Sequence, residues 1–223
     1  MNKDVAEYYN SIADSYDESR FNNSYGRFID AEERRILNRL IDVTQQSQRL
    51  EIACGTGRLT NYATHGLDVS ANMMAIARRR HEKVEFSEAS ATETGYPDNS
   101  FDLVYSFHLL MHLDMDTIRQ IFHEVYRILR PGGRFIIDIP SRKRREFLHH
   151  KQASWHGGTQ LSNTDVEVMA DDLFKINRSF GVMMLPVHKL PVFMRRPLIR
   201  LDYAMANGWL KEYSSYLVYE LVK

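Results

Sequence analysis

Between Arg49 and Ile139 short apolar runs alternate with amphipathic stretches, and this alternation limits the chain more than any other feature of its sequence. The runs Arg49–Ala53, Leu67–Val69, Val84–Phe86, Phe101–Ser106 and Arg134–Ile139 read as strands. The last two are apolar almost throughout, the pattern of strands buried on both faces, which calls for a parallel sheet covered by helices on either side. Ser70 is placed to cap a helix over Ala71–Arg80, with Met73, Met74, Ile76 and Ala77 turned inward. From Asp116 to Leu129, apolar residues recur at three- and four-residue steps until Pro131-Gly132-Gly133 ends the helix. The order predicts an α/β fold with an open, doubly wound, mostly parallel sheet. One unit is cramped: the crossover from Gly57 to Asp68 is near the minimum of about ten to twelve residues, so its helix or the following strand must be cut short.

The flanks complete the layout. Tyr8, Tyr9, Ile12, Ala13 and Tyr16 sit at helical spacing in residues 3–21. Ser24–Leu40 reads as an amphipathic helix with Phe28, Ile29, Ile36, Leu37 and Leu40 on one side and Glu32, Glu33, Arg34 and Arg35 on a solvated face. Thr44–Gln48 is a polar linker. After Pro140 come a basic run Arg142–Arg145, a His149-His150-Lys151 cluster and a helix over Thr164–Phe174 capped by Thr164. Gly181–Val187 and Ser215–Val222 read as an antiparallel pair that finishes a seven-stranded sheet, helices on both faces, with an antiparallel C-terminal strand. The expectation is a single domain over 1–223, with a helical cap over 1–45 and an insert over about 188–213 crossing the ligand end.

Composition removes several classes of function. Lys plus Arg equals Asp plus Glu, 29 against 29, so no global field draws in nucleic acid or an anionic membrane. Cys54 is the only cysteine, which excludes an intrachain disulfide and any zinc site of several thiolates. A reducing, cytoplasmic setting fits. The first residues carry acids and tyrosines in place of a basic region and an apolar run, and no apolar span reaches membrane length.

The chemistry concentrates where the first strand runs into Glu51-Ile52-Ala53-Cys54-Gly55-Thr56-Gly57-Arg58. Glycines at a strand-to-helix turn take backbone angles closed to other residues and let a ligand lie against the main chain. Asp68, ending the second strand, can accept hydrogen bonds from two vicinal ribose hydroxyls. That glycine stretch, then Gly66–Met73, then Pro97–Val104 followed by His108–Leu113, then Leu129–Arg134 resemble, in this order, the motifs of the class I S-adenosylmethionine-dependent methyltransferases. The likeness runs from about Tyr8 to Lys223. It implies a Rossmann-like fold, S-adenosyl-L-methionine as cofactor and S-adenosyl-L-homocysteine as product. It also implies that Glu51, with Ala53, Gly55 and Gly57, orders the loop near the methionine amino group, and that Asp68, with Val69 beside it, meets the ribose. Met73 would lie by the adenine or ribose, and Ser90 and Ala91 by the adenine edge. Ser106 and Phe107 would offer carbonyls near the methionine part, and Tyr16 and Arg20 would meet its carboxylate. The chain departs from the family pattern at Ala53, which stands where a glycine is usual, in the short crossover, and at Ser90, where an aspartate commonly holds the adenine amino group. Glu88 or Glu93, or backbone and apolar packing, would then hold the adenine.

Methyl transfer from a sulfonium is an in-line displacement that asks the protein for alignment and a dry pocket, and no metal is expected. A base is needed only if the acceptor must lose a proton, and histidine suits that role. His108 and His112 follow the fourth strand at the right end; His108 is the better catalytic candidate, and His156 and His188 could reach in from the late insertions. The acceptor, read as a small molecule, is expected against the N-terminal helices, residues 155–161 and the stretch from Pro191 to Trp209. The oligomeric state stays open, and Arg142–Arg145 is the candidate contact should RNA or protein be the acceptor. Two other readings remain: a protein that binds the nucleoside to regulate a partner or for other chemistry, and a nicotinamide-dependent oxidoreductase, against which stand the missing third glycine and the lack of a Tyr/Lys or Cys/His set.

Overall fold

In a computed structural model, described over residues 3–149 and 158–223, the chain folds around one seven-stranded sheet. Its strands are β1 (Arg49–Ile52), β2 (His65–Asp68), β3 (Glu85–Glu88), β4 (Phe101–Ser106), β5 (Leu129–Pro140), β6 (Lys175–Val182) and β7 (Tyr216–Val222). They lie in the order β3-β2-β1-β4-β5-β7-β6, and β7 alone runs antiparallel to its neighbours. The order reverses between β1 and β4, and the crevice beyond the carboxyl ends of such a pair is where open α/β sheets bind ligands.

The helices are α1 (Lys3–Ile12), α2 (Tyr16–Phe21), α3 (Ser24–Leu40), α4 (Ala71–Arg80), α5 (Met115–Ile128), α6 (Arg142–Phe147), α7 (Asn163–Ala170) and α8 (Val192–Ala206). Their starts follow from capping chemistry: side-chain oxygens of Asn23, Ser70 and Asp114 accept the backbone N–H of Gly26, Met73 and Thr117. Strand alternation divides the core. Val104, Phe135, Ile137 and Ile139 pack with α5 and α7, whereas Leu103, Tyr105 and Ile136 pack with Ile29, Ile36, Leu37 and Leu40 of α3. Asp138 has the parity of Ile136 and so belongs to the α3 side, where it is buried.

The structure departs from the sequence expectations in several places; β5, for one, starts at Leu129, ahead of the expected Arg134, and takes in Pro131-Gly132-Gly133. The cramped crossover keeps no α-helix, only a single 3-10 turn over Thr60–Tyr62. The helix expected over Thr164–Phe174 is Asn163–Ala170, with its cap two residues earlier: Ser162 caps it, and the Asp165 carboxylate accepts the Ser162 N–H in a reciprocal capping box. The penultimate strand is Lys175–Val182, six residues ahead of the expected start, because the polar residues Lys175, Asn177 and Arg178 pair with β7 at the sheet edge. Glu32 and Glu33, expected on a solvated face, are buried at 7% and 2% exposure, since Arg35 and Arg58 supply counter-charges there. Among the described residues, no helix is long and apolar enough to cross a membrane.

Candidate active site

Beyond β1 the chain turns through Ala53, Gly55 and Gly57, all with positive φ, at 56°, 54° and 84°. Glycine takes these angles freely, but Ala53 holds one with a methyl group. The two glycines have different reasons. A Cβ on Gly57 would lie 2.8 Å from the ring of His81, whereas one on Gly55 would meet nothing within 4 Å and project into the open cleft. Gly57 therefore serves packing against α4, and Gly55 leaves the main chain bare toward a ligand. Asp68 ties the parts together: one carboxylate oxygen accepts the Gly55 N–H at 2.8 Å and the other the Ser70 N–H at 2.9 Å. Burial pushes its carboxyl up.

Two lobes open from this turn, and a third adjoins them through Tyr16 and His108. The first, of about 670 Å³, is lined by Leu67, Asp68, Val69, Met73, Ala89 and Ala91, mostly apolar walls with one carboxylate. The second is lined by Glu51, Thr56, Arg58, Leu59 and Phe21. The third lies under the helical cap, between Tyr9, Arg20, Tyr25, Ile29, Met111 and Tyr216. Tyr16 and His108 line all three; Phe107 is common to the first two and His112 to the first and third. The cap is latched down by two residues the sequence did not single out. Asn10 Oδ1 accepts from Ser70 Oγ and the Asn72 N–H, and Asp17 accepts from Thr56 Oγ1 at 2.7 Å and pairs with Arg80.

These lobes gather most of the expected cofactor residues. Tyr16, Glu51, Ala53, Gly55, Asp68, Val69, Met73, Ala91 and Phe107 line the first two. Four lie otherwise, Gly57 among them, because it packs against His81 and Ala77 of the α4 region and lines none of the lobes. Arg20 lines the third lobe, away from Glu51. Ser90 spends its hydroxyl in a local turn with Thr92, at 2.8 Å, while its neighbours Ala89 and Ala91 form the wall. The Ser106 hydroxyl donates to the Ile52 carbonyl at 2.9 Å, joining β4 to β1. The nucleoside implied by the resemblance fits what remains: bare main chain at Gly55, a buried carboxylate at Asp68 and apolar walls for a flat base.

Buried charge gathers where the lobes meet. Glu51 accepts from Thr60 Oγ1 at 2.5 Å, and burial pushes its carboxyl up to about 7. His108, at φ 60°, stands between two acids: its Nε2 is 2.6 Å from Glu33 Oε1 and its Nδ1 3.5 Å from Asp138 Oδ2. Asp138 also accepts the His108 N–H at 2.6 Å, and Arg58 pairs with Glu33 at 2.7 Å and Asp30 at 2.7 Å while stacking on Phe21. Burial alone would lift Glu33, but the charges of His108 and Arg58 outweigh it and hold the carboxyl at about 2. Burial lifts Asp138 to about 6. For His108 burial works against protonation, and the two acids overcome it and raise its pKa. His108 thus reaches the expected place with both ring nitrogens facing carboxylates.

The late segment behaves differently from the expectation. Among the described residues, α8 places none of its side chains against the three lobes; Tyr203 packs under the Arg35 guanidinium at 3.9 Å on the outer side of α3, and Trp209 is 89% exposed. The third lobe is instead closed by α1, α2, α3 and Tyr216 of β7. His188 stacks edge-on against Tyr25 at 5.2 Å, one layer behind that lobe. Trp155 and His156 lie outside the described residues. Glu33 and Asp138 were missed in the sequence, although Glu33 stands in the apolar stripe of Ile29, Ile36, Leu37 and Leu40, and Asp138 is the lone acid of an apolar strand.

Comparison with known proteins adds the following. Residues 50–137 match the family model described as "Methyltransferase domain". The chain is 32% identical over 123 residues to a phosphoethanolamine N-methyltransferase of Triticum aestivum, covering 48% of this chain and 24% of that protein. It is 28% identical over 150 residues to a demethylmenaquinone methyltransferase of Tropheryma whipplei, covering 64% and 61%. A solved SAM-dependent methyltransferase of Thermotoga maritima superposes with a TM-score of 0.75 at 21% identity, covering 98% of this chain and 99% of that one. The chain spans less than two thirds of the length of the curated relatives it matches, from 24% to 61% in these two cases.

Proposed function

We propose that the chain, whose residues 50–137 match a methyltransferase family model and whose fold is shared with solved SAM-dependent methyltransferases, is a class I S-adenosylmethionine-dependent methyltransferase that methylates a small-molecule acceptor. The observation that carries this reading is the meeting of three lobes at Tyr16 and His108, with the Asp68 carboxylate and the bare Gly55 main chain in the first. Two lobes would divide a nucleoside-amino-acid cofactor between them, and the third would offer an acceptor a path to their junction.

S-adenosyl-L-methionine, when bound, supplies a methyl group already activated by the positive sulfur. What the chain supplies is placement. Asp68 would accept the ribose hydroxyls, Met73 and Ala91 would flank the base, and Glu51 would face the amino group. Tyr16 and Phe107 close the junction against water, which favours a displacement between aligned partners. Arg20, on the third lobe, is an acceptor contact in this reading, and His112 joins His108 as a candidate for guiding the acceptor's proton. The small-molecule class is supported by the enclosed aromatic third lobe and by the substrates in the relatives' names. The zero formal charge argues against nucleic acid as partner, and a single cysteine fits a cytoplasmic protein.

The test is calorimetric titration with S-adenosyl-L-methionine and S-adenosyl-L-homocysteine, followed by transfer of a labelled methyl group into a small-molecule extract. Binding with transfer supports the reading. Binding without transfer would favour a protein that uses the nucleoside otherwise, and no binding at millimolar concentration would end the proposal.

A further inference from the structure

An open groove of about 1190 Å³ runs between the end of α6, the 184–189 segment and the residues Leu210 and Tyr213. Phe147, Leu148, Leu185, Pro186 and Leu210 give it apolar walls, Arg144 and Lys189 stand among them, and no carboxylate of the described residues lines it. At its rim Phe147 is 69% and Leu148 57% exposed, with the Phe147 ring edge-on to Tyr213 at 5.9 Å. Large apolar side chains held together in water beside an apolar groove mark a surface that something covers. Arg144 joins two of the walls: its guanidinium donates to the Met184 and Tyr213 carbonyls, both at 2.7 Å, and so keeps its charge without meeting a carboxylate. The charges nearby do not balance. Lys143 pairs with Glu212 and Arg142 with Asp165. That leaves four cations, Arg144, Arg145, Lys189 and Arg195, against two acids, the exposed Glu146 and the buried Asp202, whose carboxylate accepts the Leu185 N–H. The zero formal charge of the whole chain conceals this local excess.

We propose that this groove and its rim are a docking surface for an anionic lipid bilayer. An occupant must cover apolar side chains and at the same time bring negative charge to Arg144 and Lys189, and a bilayer with anionic headgroups does both. Phe147 and Leu148 enter the boundary of the acyl chains, and Arg144, Arg145 and Lys189 meet the headgroups. Long basic side chains suit that level, because their stems lie on apolar surface while the charge stays in the polar layer. A partner helix is the poorer fit, since the two exposed residues are adjacent at the end of a six-residue helix and form no stripe for it to follow. The contact is peripheral, as no described helix is long and apolar enough to cross a membrane. One turn, Val187–Lys189, separates the groove from the third lobe: His188 stacks on Tyr25 of that lobe, and Lys189 lines the groove. Docking therefore brings the acceptor lobe near the membrane surface, where an acceptor with an apolar body collects. That consequence rests on the methyl-transfer reading; the docking itself does not.

The experiment is cosedimentation of the full chain with vesicles of phosphatidylcholine, alone or mixed with phosphatidylglycerol, at low and at physiological salt. Partition onto the anionic vesicles is expected roughly tenfold or more above the neutral ones, and weaker as salt rises. Lys189→Gln should lower it about fivefold, the effect of one charge at the headgroups. Phe147→Ser combined with Leu148→Ser should lower it roughly tenfold or more, for the apolar area left in water. Val168→Ser, 64% exposed but outside the groove, should change nothing. The salt dependence of the wild-type chain is a reading independent of how any variant folds. No partition at low salt, equal partition onto neutral and anionic vesicles, or partition that survives both the double substitution and Lys189→Gln would each overturn the proposal. Self-association, or binding of an acidic amphipathic peptide, that is lost in the double variant while vesicles are ignored would overturn it too and give the groove to a protein. A chain that binds anionic vesicles but not S-adenosyl-L-methionine would keep this surface and remove the methyl-transfer reading instead.

Discussion

Replacing Glu51 by Gln should make the free protein more stable and its cofactor site weaker. Glu51 is 4% exposed at the end of β1, and burial lifts its carboxyl from 4.5 to about 7. At about 1.4 kcal/mol per tenfold change in proton affinity, that lift corresponds to roughly 3 kcal/mol. The folded state holds this proton more tightly than the unfolded state, so the penalty is absent below pH 4.5, grows as the pH rises from 4.5 to about 7, and is complete above that. Gln keeps an acceptor for Thr60 Oγ1, which bonds Glu51 at 2.5 Å, and carries no charge. Urea denaturation of the cofactor-free chain should therefore show Glu51→Gln near wild type at pH 5 and more stable by about 1–3 kcal/mol at pH 8. Calorimetry should show S-adenosyl-L-homocysteine binding roughly tenfold or more weaker, the loss of one charge-assisted hydrogen bond of about 1.5–3 kcal/mol. A variant that is no more stable at pH 8 than at pH 5, relative to wild type, would refute the argument that function holds a costly buried charge at this position.

Ala53→Gly should gain about 1 kcal/mol in denaturation experiments, because relief of the φ of 56° outweighs the added freedom of the unfolded chain. Asp68→Ala should abolish measurable nucleoside binding in calorimetry, since it removes the ribose acceptor and frees the N–H groups of Gly55 and Ser70 together. Arg58→Ala should cost about 3–5 kcal/mol of stability, the penalty of leaving the buried Glu33 carboxylate without its partner, read as a lower urea midpoint. Trp209→Ser should change stability by no more than about 0.5 kcal/mol and leave turnover unaltered, because the ring is exposed and lies outside the three lobes.

The architecture was legible because the signals that set it are local. Continuous apolar strands, the Ser70 cap of α4 and the three-and-four spacing in α5 need no knowledge of the rest of the chain, and those elements stand where the sequence put them. The glycine turn and Asp68 were legible in the same way, and the Gly55 N–H donates to the Asp68 carboxylate. What escaped depends on distant partners. Glu33 looks like part of a solvated face until Arg58 and His108, remote in sequence, are folded against it. Periodicity did carry a clue, for Glu33 falls four residues after Ile29 and three before Ile36, inside the buried stripe. The insert misled for a related reason: aromatic and Met content marks it as packed, but its surface against Arg35 and Arg39 of α3 is set by tertiary contact alone.

The most direct test of the account is a crystal structure of the chain with S-adenosyl-L-homocysteine. The ribose hydroxyls should lie on the Asp68 carboxylate, the adenine between Met73 and Ala91, and the sulfur at the junction of Tyr16, Phe107 and His108, facing the lobe of Tyr25 and Tyr216. A nucleoside bound away from Asp68, or a sulfur closed off from that third lobe, would contradict it.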